Sequence, residues 1–395
     1  MLLKNARLPD GRLVDLLLDG EQILRVDEPG RVEESDDVYD LETALVSPAF
    51  IDGHIHLDKT YFGCPPVPHQ EGVSVKERVA IERVERHKLP LPVRERASAL
   101  LKHLLKNGTT RVRSHVDIDS DIGLKHLEAL VDVRATFADY IDIEIVAFPQ
   151  SGITSEPGMP DLLDAALRSG ADLIGGLDPL GFDGEVKEHL DVIFSLAEKH
   201  GKGIDIHLHD GGENGGNELR DIARRTIAAG MEGRVVVSHA FALGMLAASS
   251  FATTSDLLAK AGVSIMTSSP APVPVPPIRR LQNAGVNVFA ASDNIRDCWS
   301  PFGNGDMLDR VGIVAQRQEM LTNEDLQRAF DLATFSAAKA LGITRYGLDV
   351  GCASDLVVLV APNIEQAVIG GAQPRKMVIR RGKLVAVSGE LTSIP

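Results

Sequence analysis

About eight short apolar runs recur between residues 49 and 344, and helix-length amphipathic segments separate most of them. This rhythm constrains the fold more than any other feature. A run apolar on both faces must be covered on both faces, and intervening helices provide the cover of a parallel sheet. The runs are FIDGHIH ending near His56, TTRVRSHVD near Asp117, IDIEIVAF near Phe148 and DLIGGLD near Asp178. KGIDIHLH follows, ending near His209, then RVVVSH at His239, GVSIMTS near Ser268 and GVNVFAASD near Asp293. Between them SALLKHLLKNG, GLKHLEALVDVRATFADY, PDLLDAALRSG and LDVIFSLAEKHG carry apolar residues at i, i+3, i+4, several stopping at Gly. Eight βα units predict an α/β protein built on a TIM-like (β/α)₈ barrel over residues 49–344.

The two ends have a different texture. Residues 1–48 alternate apolar and polar positions around turns at Pro9-Asp10-Gly11 and Asp19-Gly20, and residues 345–395 repeat the pattern in SDLVVLV and KMVIRRGKLVAV. They are expected to pair as one small β domain beside the barrel. The Pro-rich segment SSPAPVPVPPIRR after the seventh strand reads equally as a stiff connector and as a wall of the barrel mouth.

Charge and cysteine usage narrow the partners. With 41 Lys and Arg against 56 Asp and Glu, the formal charge is −15, which argues against a nucleic-acid backbone or an anionic membrane as the main partner. No uncharged apolar run approaches the roughly 20 residues of a membrane-spanning helix. MLLKNARLPDGRLVD lacks the order of a signal peptide, and Cys64, Cys298 and Cys352 are far apart, so a reducing cytoplasm is expected. The sequence leaves the oligomeric state open, homo-oligomers included.

The chemistry is carried by where histidines fall. His54 and His56 form H-I-H at the end of the first run, and residues i and i+2 of a strand share a face. His207, His239 and Asp293 end the fifth, sixth and eighth runs, the ends at which barrel enzymes place reacting groups. That set points to a metal site. His103, His126, His189 and His200 fall on helical faces and read as surface residues, and Cys298 has no base near it in sequence. HDGGENGGN lacks the Lys-Ser/Thr and spacing of a nucleotide loop and reads as the loop leading from the fifth strand into its helix.

FIDGHIHLDKT, IDIHLHDGG, VVSHA and ASDNIRDCWSPFGNGDM resemble the amidohydrolase superfamily, cytosine deaminase-like branch, over essentially the whole chain. The resemblance implies a (β/α)₈ barrel, a small β-sandwich built from both chain ends, and one divalent metal ion, zinc or iron. It makes His54, His56, His207 and Asp293 the metal ligands, Asp293 also a proton acceptor, and His239 the partner of the attacking water. Binuclear members need a Lys on the fourth strand, and ADLIGGLDP has none, so one ion is expected. Cytosine deaminases read H-x-x-Glu after the fifth-strand ligand, whereas this chain reads His207-Leu208-His209-Asp210, as s-triazine hydrolases of the branch do. His209, on the face of His207, is therefore expected to polarise or protonate the substrate. Its alternative is a supporting or extra ligand, and Asp210 is one methylene short of the usual Glu. Gln150, Lys59, Asn294 and Trp299 match substrate-side positions, with Asp178 a weaker match. The expected activity is hydrolysis of an exocyclic C–N bond on a small oxo-substituted nitrogen heterocycle. Cytosine deamination proper, cyclic-amide hydrolysis and a non-catalytic scaffold are the rivals.

Overall fold

The computed structural model describes residues 1–32, 37–70, 72–392 and 394. Eight parallel strands pair in chain order: Phe50–Ile55, Thr109–Asp117, Asp142–Phe148, Leu173–Leu177, Gly203–Leu208, Val235–His239, Ser264–Thr267 and Val288–Ala290. The last meets the first through a single bridge, in which the Asp293 N–H donates to the His54 carbonyl at 2.8 Å and Asp293 pairs with Ile55. The backbone contact that nearly closes the barrel thus also sets the eighth-strand carboxylate beside the first-strand histidines. The eighth strand stops at Ala290, short of the expected Asp293, because Asp293 has left-handed backbone at φ 62° and cannot continue a strand.

The alternation along each strand sorts its residues. On the second strand Val112 and Val116 face outward, and on the fifth Ile204, Ile206 and Leu208 do. They share one core with Leu100 and Leu104 of helix Val93–Lys106, Leu190 and Ile193 of helix Val186–His200, and Leu219 of helix Gly212–Ala228. Each such side chain contributes roughly 1.5–3 kcal/mol on burial. The intervening positions Arg113, His115, Asp205 and His207 are polar, buried and turned to the barrel axis.

The chain ends form a separate nine-stranded sheet. Leu45–Pro48 runs antiparallel to Leu356–Leu359, stitching the two ends together over a core of its own that includes Leu3, Leu16, Ile23, Val46, Val358 and Ile379. Among the described residues, no helix is long and apolar enough to cross a membrane.

Two expectations are corrected. The glycine-rich segment is mostly helix, since helix Gly212–Ala228 starts directly after Gly211. A Cβ on Gly215 would lie 2.0 Å from the Asp210 carbonyl oxygen, so glycine is needed there for close approach of backbone to backbone. The helical histidines are not free surface residues: His103, His126 and His200 are half-buried. His189 is fully buried with Nδ1 2.6 Å from Asp183, and His126 reaches Asp58 at 2.9 Å. His103 donates to the Asn304 carbonyl, and His200 lies 2.7 Å from Asp164. A polar residue on a helix face reads as solvated unless a partner from another element meets it, and each of these has one. The Pro-rich segment, left open between two roles, lines the barrel mouth through residues 268–273.

Candidate active site

Four ligand-type side chains converge at the C-terminal end of the barrel. His54, His56, His207 and Asp293 each offer one atom, all within 4.8 Å of one another. The His56 Nε2 lies 3.4 Å from the His207 Nε2 and 3.4 Å from the Asp293 Oδ1, and the His54 Nε2 is 3.5 Å from that same oxygen. Atoms placed tetrahedrally around an ion at ~2.1 Å sit roughly 3.4 Å apart, so the spacing fits a small divalent cation. The chemistry fits as well. Burial, helped by Lys59, holds His56 down at about 4, and burial depresses His207 well below its ordinary value, so both rings present lone pairs. Burial acts to raise Asp293, yet the neighbouring imidazoles, His239 first, hold it well below the usual carboxylate range.

His239 ends the sixth strand in left-handed backbone, φ 71°, a conformation that costs a non-glycine residue of order 1–3 kcal/mol and collects at functional sites. Its ring stacks on His209 with centroids 4.5 Å apart and lies 5.5 Å from that of His54. His209, one residue beyond the fifth strand, lines the same cavity. Its Nδ1 is 2.9 Å from the Asp178 carboxylate, which also accepts from the His209 backbone N–H at 2.6 Å. Burial opposes charge on His209, but Asp178 overrides it and raises its pKa. Asp178, expected at the substrate, instead stands behind His209, because the turn after the fourth strand aims its side chain at the neighbouring strand. Asp210 leaves the site altogether. Its carboxylate accepts from the Gly181 N–H at 2.9 Å and neighbours Glu218, whose pKa burial and Asp210 push up to about 8.

The cavity has a volume of about 1320 Å³, with Lys59, Gln150, Asn294 and Trp299 in its lining. One acid that sequence reading missed, Glu82 on helix Val75–Glu85, ties three of its groups together. It accepts from Gln150 at 2.7 Å, from Lys59 at 3.3 Å and from the Trp299 indole N–H. Asn294 donates to Asp297 at 2.7 Å, and Asp297 also caps the Trp299 backbone N–H. Lys59 further pairs with the buried Asp117 at 3.0 Å. Lys59→Met would leave the buried Glu82 without its cation and Asp117 with only Arg86, at 3.9 Å. It is expected to destabilise the fold by about 3–5 kcal/mol in chemical denaturation, and a loss under 1 kcal/mol would contradict the pairing. Burial pushes the Cys298 thiol up to about 11, which leaves no thiolate nucleophile near neutral pH.

His115 was also missed. It lies fully buried on the second strand, its ring 4.0 Å from that of His54 and 4.6 Å from that of His207. Its signal was present in TRVRSHVD, where it shares a strand face with Asp117, but nothing local marks that face as pointing at the four converging side chains. Glu82 had no signal, since an acid in a helix between strands is ordinary.

A match to the sequence profile of the amidohydrolase family spans residues 37–386. The chain belongs to the amidohydrolase family. This amidohydrolase is 34% identical to N-isopropylammelide isopropyl amidohydrolase of Pseudomonas sp. (strain ADP), over 98% of this chain and 96% of that one. The crystal structure of N-isopropylammelide isopropylaminohydrolase from Burkholderia multivorans superposes with a TM-score of 0.94 at 38% identity, covering 99% of both chains. That of 5-methylcytosine deaminase from Klebsiella pneumoniae, liganded with 5-fluorocytosine, superposes with a TM-score of 0.86 at 30% identity, covering 100% of this amidohydrolase and 99% of the other.

Proposed function

We propose that this amidohydrolase is a hydrolase with one divalent metal ion that cleaves an exocyclic C–N bond of a small oxo-substituted nitrogen heterocycle, releasing ammonia or an alkylamine. The observation that carries the reading is the convergence of three imidazole nitrogens and one carboxylate oxygen on a point flanked by His239 and His209, inside one cavity. The C–N hydrolases among its relatives agree with it. A zinc or iron ion held by His54, His56, His207 and Asp293 would supply Lewis-acid activation of water. The residues do the rest. Asp293, held ionised, accepts the proton of the attacking water. Burial keeps His239 neutral against the pull of Asp293, so its ring orients the water by hydrogen bonding. His209, oriented and charged by Asp178, donates to a ring oxygen or nitrogen as negative charge builds there. Lys59, Gln150, Asn294 and Trp299 hold the ring, Gln150 offering donor and acceptor together.

Two features favour a ring with several carbonyls over cytosine. The donor is an imidazole just beyond the fifth strand, and no carboxylic acid of Glu length occupies that place. Four guanidiniums in the cavity lining, Arg78, Arg296, Arg310 and Arg317, hydrogen-bond only backbone carbonyls and have no carboxylate within 4.0 Å among the described residues. Their positive charge suits an oxygen-rich, acidic ring.

The test is an amine-release screen of the metal-loaded protein against cytosine, isoguanine, ammelide, N-alkyl ammelides, creatinine and pterins. Amine released from an oxo-rich ring, and lost on chelation, is expected. Ring opening with no free amine would overturn the reading. A pH profile tests the donor. With the His209 pKa raised above its ordinary 6.5, kcat/KM should fall as pH rises through that raised value. Asp178→Asn removes the raising charge, so the alkaline limb should move to lower pH, and a limb that stays in place would exclude His209 as the donor.

A further inference from the structure

Beneath the four converging atoms lies a buried polar line that the proposed reaction does not use. The His54 Nδ1 is 2.9 Å from the Ser238 Oγ, and the Ser238 hydroxyl is 2.9 Å from the Asp205 Oδ1. The Asp205 Oδ2 accepts from Arg113 Nη1 at 3.0 Å, and Arg113 Nε donates to Glu144 at 2.6 Å. His54, Ser238 and Asp205 are fully buried and Arg113 nearly so, and sheet register sets Ser238 beside His207.

Hydrogen-bond direction along this line has one solution. A carboxylate only accepts, so the single Ser238 proton goes to Asp205. The Ser238 oxygen must then accept from His54, which places the imidazole proton on Nδ1. The reverse orientation would set two acceptors against each other, fully buried at 2.9 Å, with no water to relieve them. With its proton on Nδ1, His54 carries its lone pair on Nε2. That atom has no hydrogen-bond partner among the described residues and faces Asp293 and the other proposed ligands.

We propose that Ser238 and Asp205 are positioning residues that fix the His54 tautomer for metal binding, with Arg113 anchoring Asp205 from the barrel axis. The inference rests on the metal-site reading above and extends it from the ligands to what sets their protonation. Asp205 does not hold a second ion in this arrangement. Although His54, His115 and Asp205 offer ligand atoms within 4.8 Å, the Arg113 guanidinium already faces the Asp205 oxygen such an ion would need.

The experiment measures zinc affinity, not turnover. Protein stripped of metal is titrated with Zn²⁺ against a chromophoric chelator, for the parent, Ser238→Ala, Asp205→Asn and the double variant. Groups that orient a ligating imidazole typically contribute 10–100-fold in metal affinity. Each single variant is expected to weaken zinc binding by ~10–100-fold. Because the two residues act in series on one imidazole, the double variant should bind within about twofold of the weaker single. Val237→Ala, on the same strand but facing the outer core, should lower the melting temperature while keeping parental affinity. Parental affinity in Ser238→Ala, losses that multiply in the double variant, or an equal loss in Val237→Ala would each overturn the relay. A parent that binds no zinc and no iron would instead overturn the metal-site reading, and the relay with it.

Discussion

His239→Ala is expected to leave metal content near the parental level and to lower turnover by ~10²–10⁴-fold, the usual weight of a positioned acid–base group. That is about 3–5 kcal/mol of barrier. The separation of the two effects follows from geometry. His239 is not one of the four groups whose atoms converge within 4.8 Å, so its removal does not open the ligand set. It nevertheless lines the cavity, stacked on His209 and beside His54, with burial holding its ring neutral and able to handle a proton. The strained backbone at His239 also argues for a reacting role, since a purely structural residue could take a relaxed conformation. Metal analysis and single-turnover kinetics on one preparation decide the matter. Loss of metal in proportion to activity would make His239 a ligand.

The second large effect is on substrate choice. The parent protein is expected to favour an oxo-rich ring bearing an exocyclic amine over cytosine by at least tenfold in kcat/KM. His209→Asn is expected to lower kcat on that ring by ~10²–10⁴-fold, because an amide cannot carry the positive charge that Asp178 stabilises on His209. The KM should change less, since Lys59, Gln150 and Trp299, proposed above to hold the ring, are untouched. Asp210 cannot substitute, as its carboxylate is committed to the Gly181 N–H and turned away from the cavity. Cytosine turned over tenfold better than the oxo-rich ring, or His209→Asn as active as the parent, would contradict the assignment of the fifth strand.

The local pattern of the chain was enough for the barrel and for the four ligand-type side chains that converge in it. Strand runs and helix faces are short-range signals with fixed periods, so the eight strands and the i, i+2 placement of His54 and His56 could be read directly. His207 and Asp293 followed from their places at run ends, because in a barrel one end of every strand faces the same mouth. What the pattern could not carry is which side chains from distant elements meet. Glu82 reaches Lys59, Gln150 and Trp299 from a helix whose spacing to them is set by the folded connection after the first strand. Asp178, expected as a substrate contact, hydrogen-bonds His209, a placement that lies in side-chain direction at a turn. The proton on His54 is decided by Ser238 and Asp205, 184 and 151 positions away, through the register of the fifth strand against the sixth. Periodicity determines which face a residue takes. Only closure of the barrel determines what that face meets, and hydrogen-bond direction in a buried line then determines its protonation.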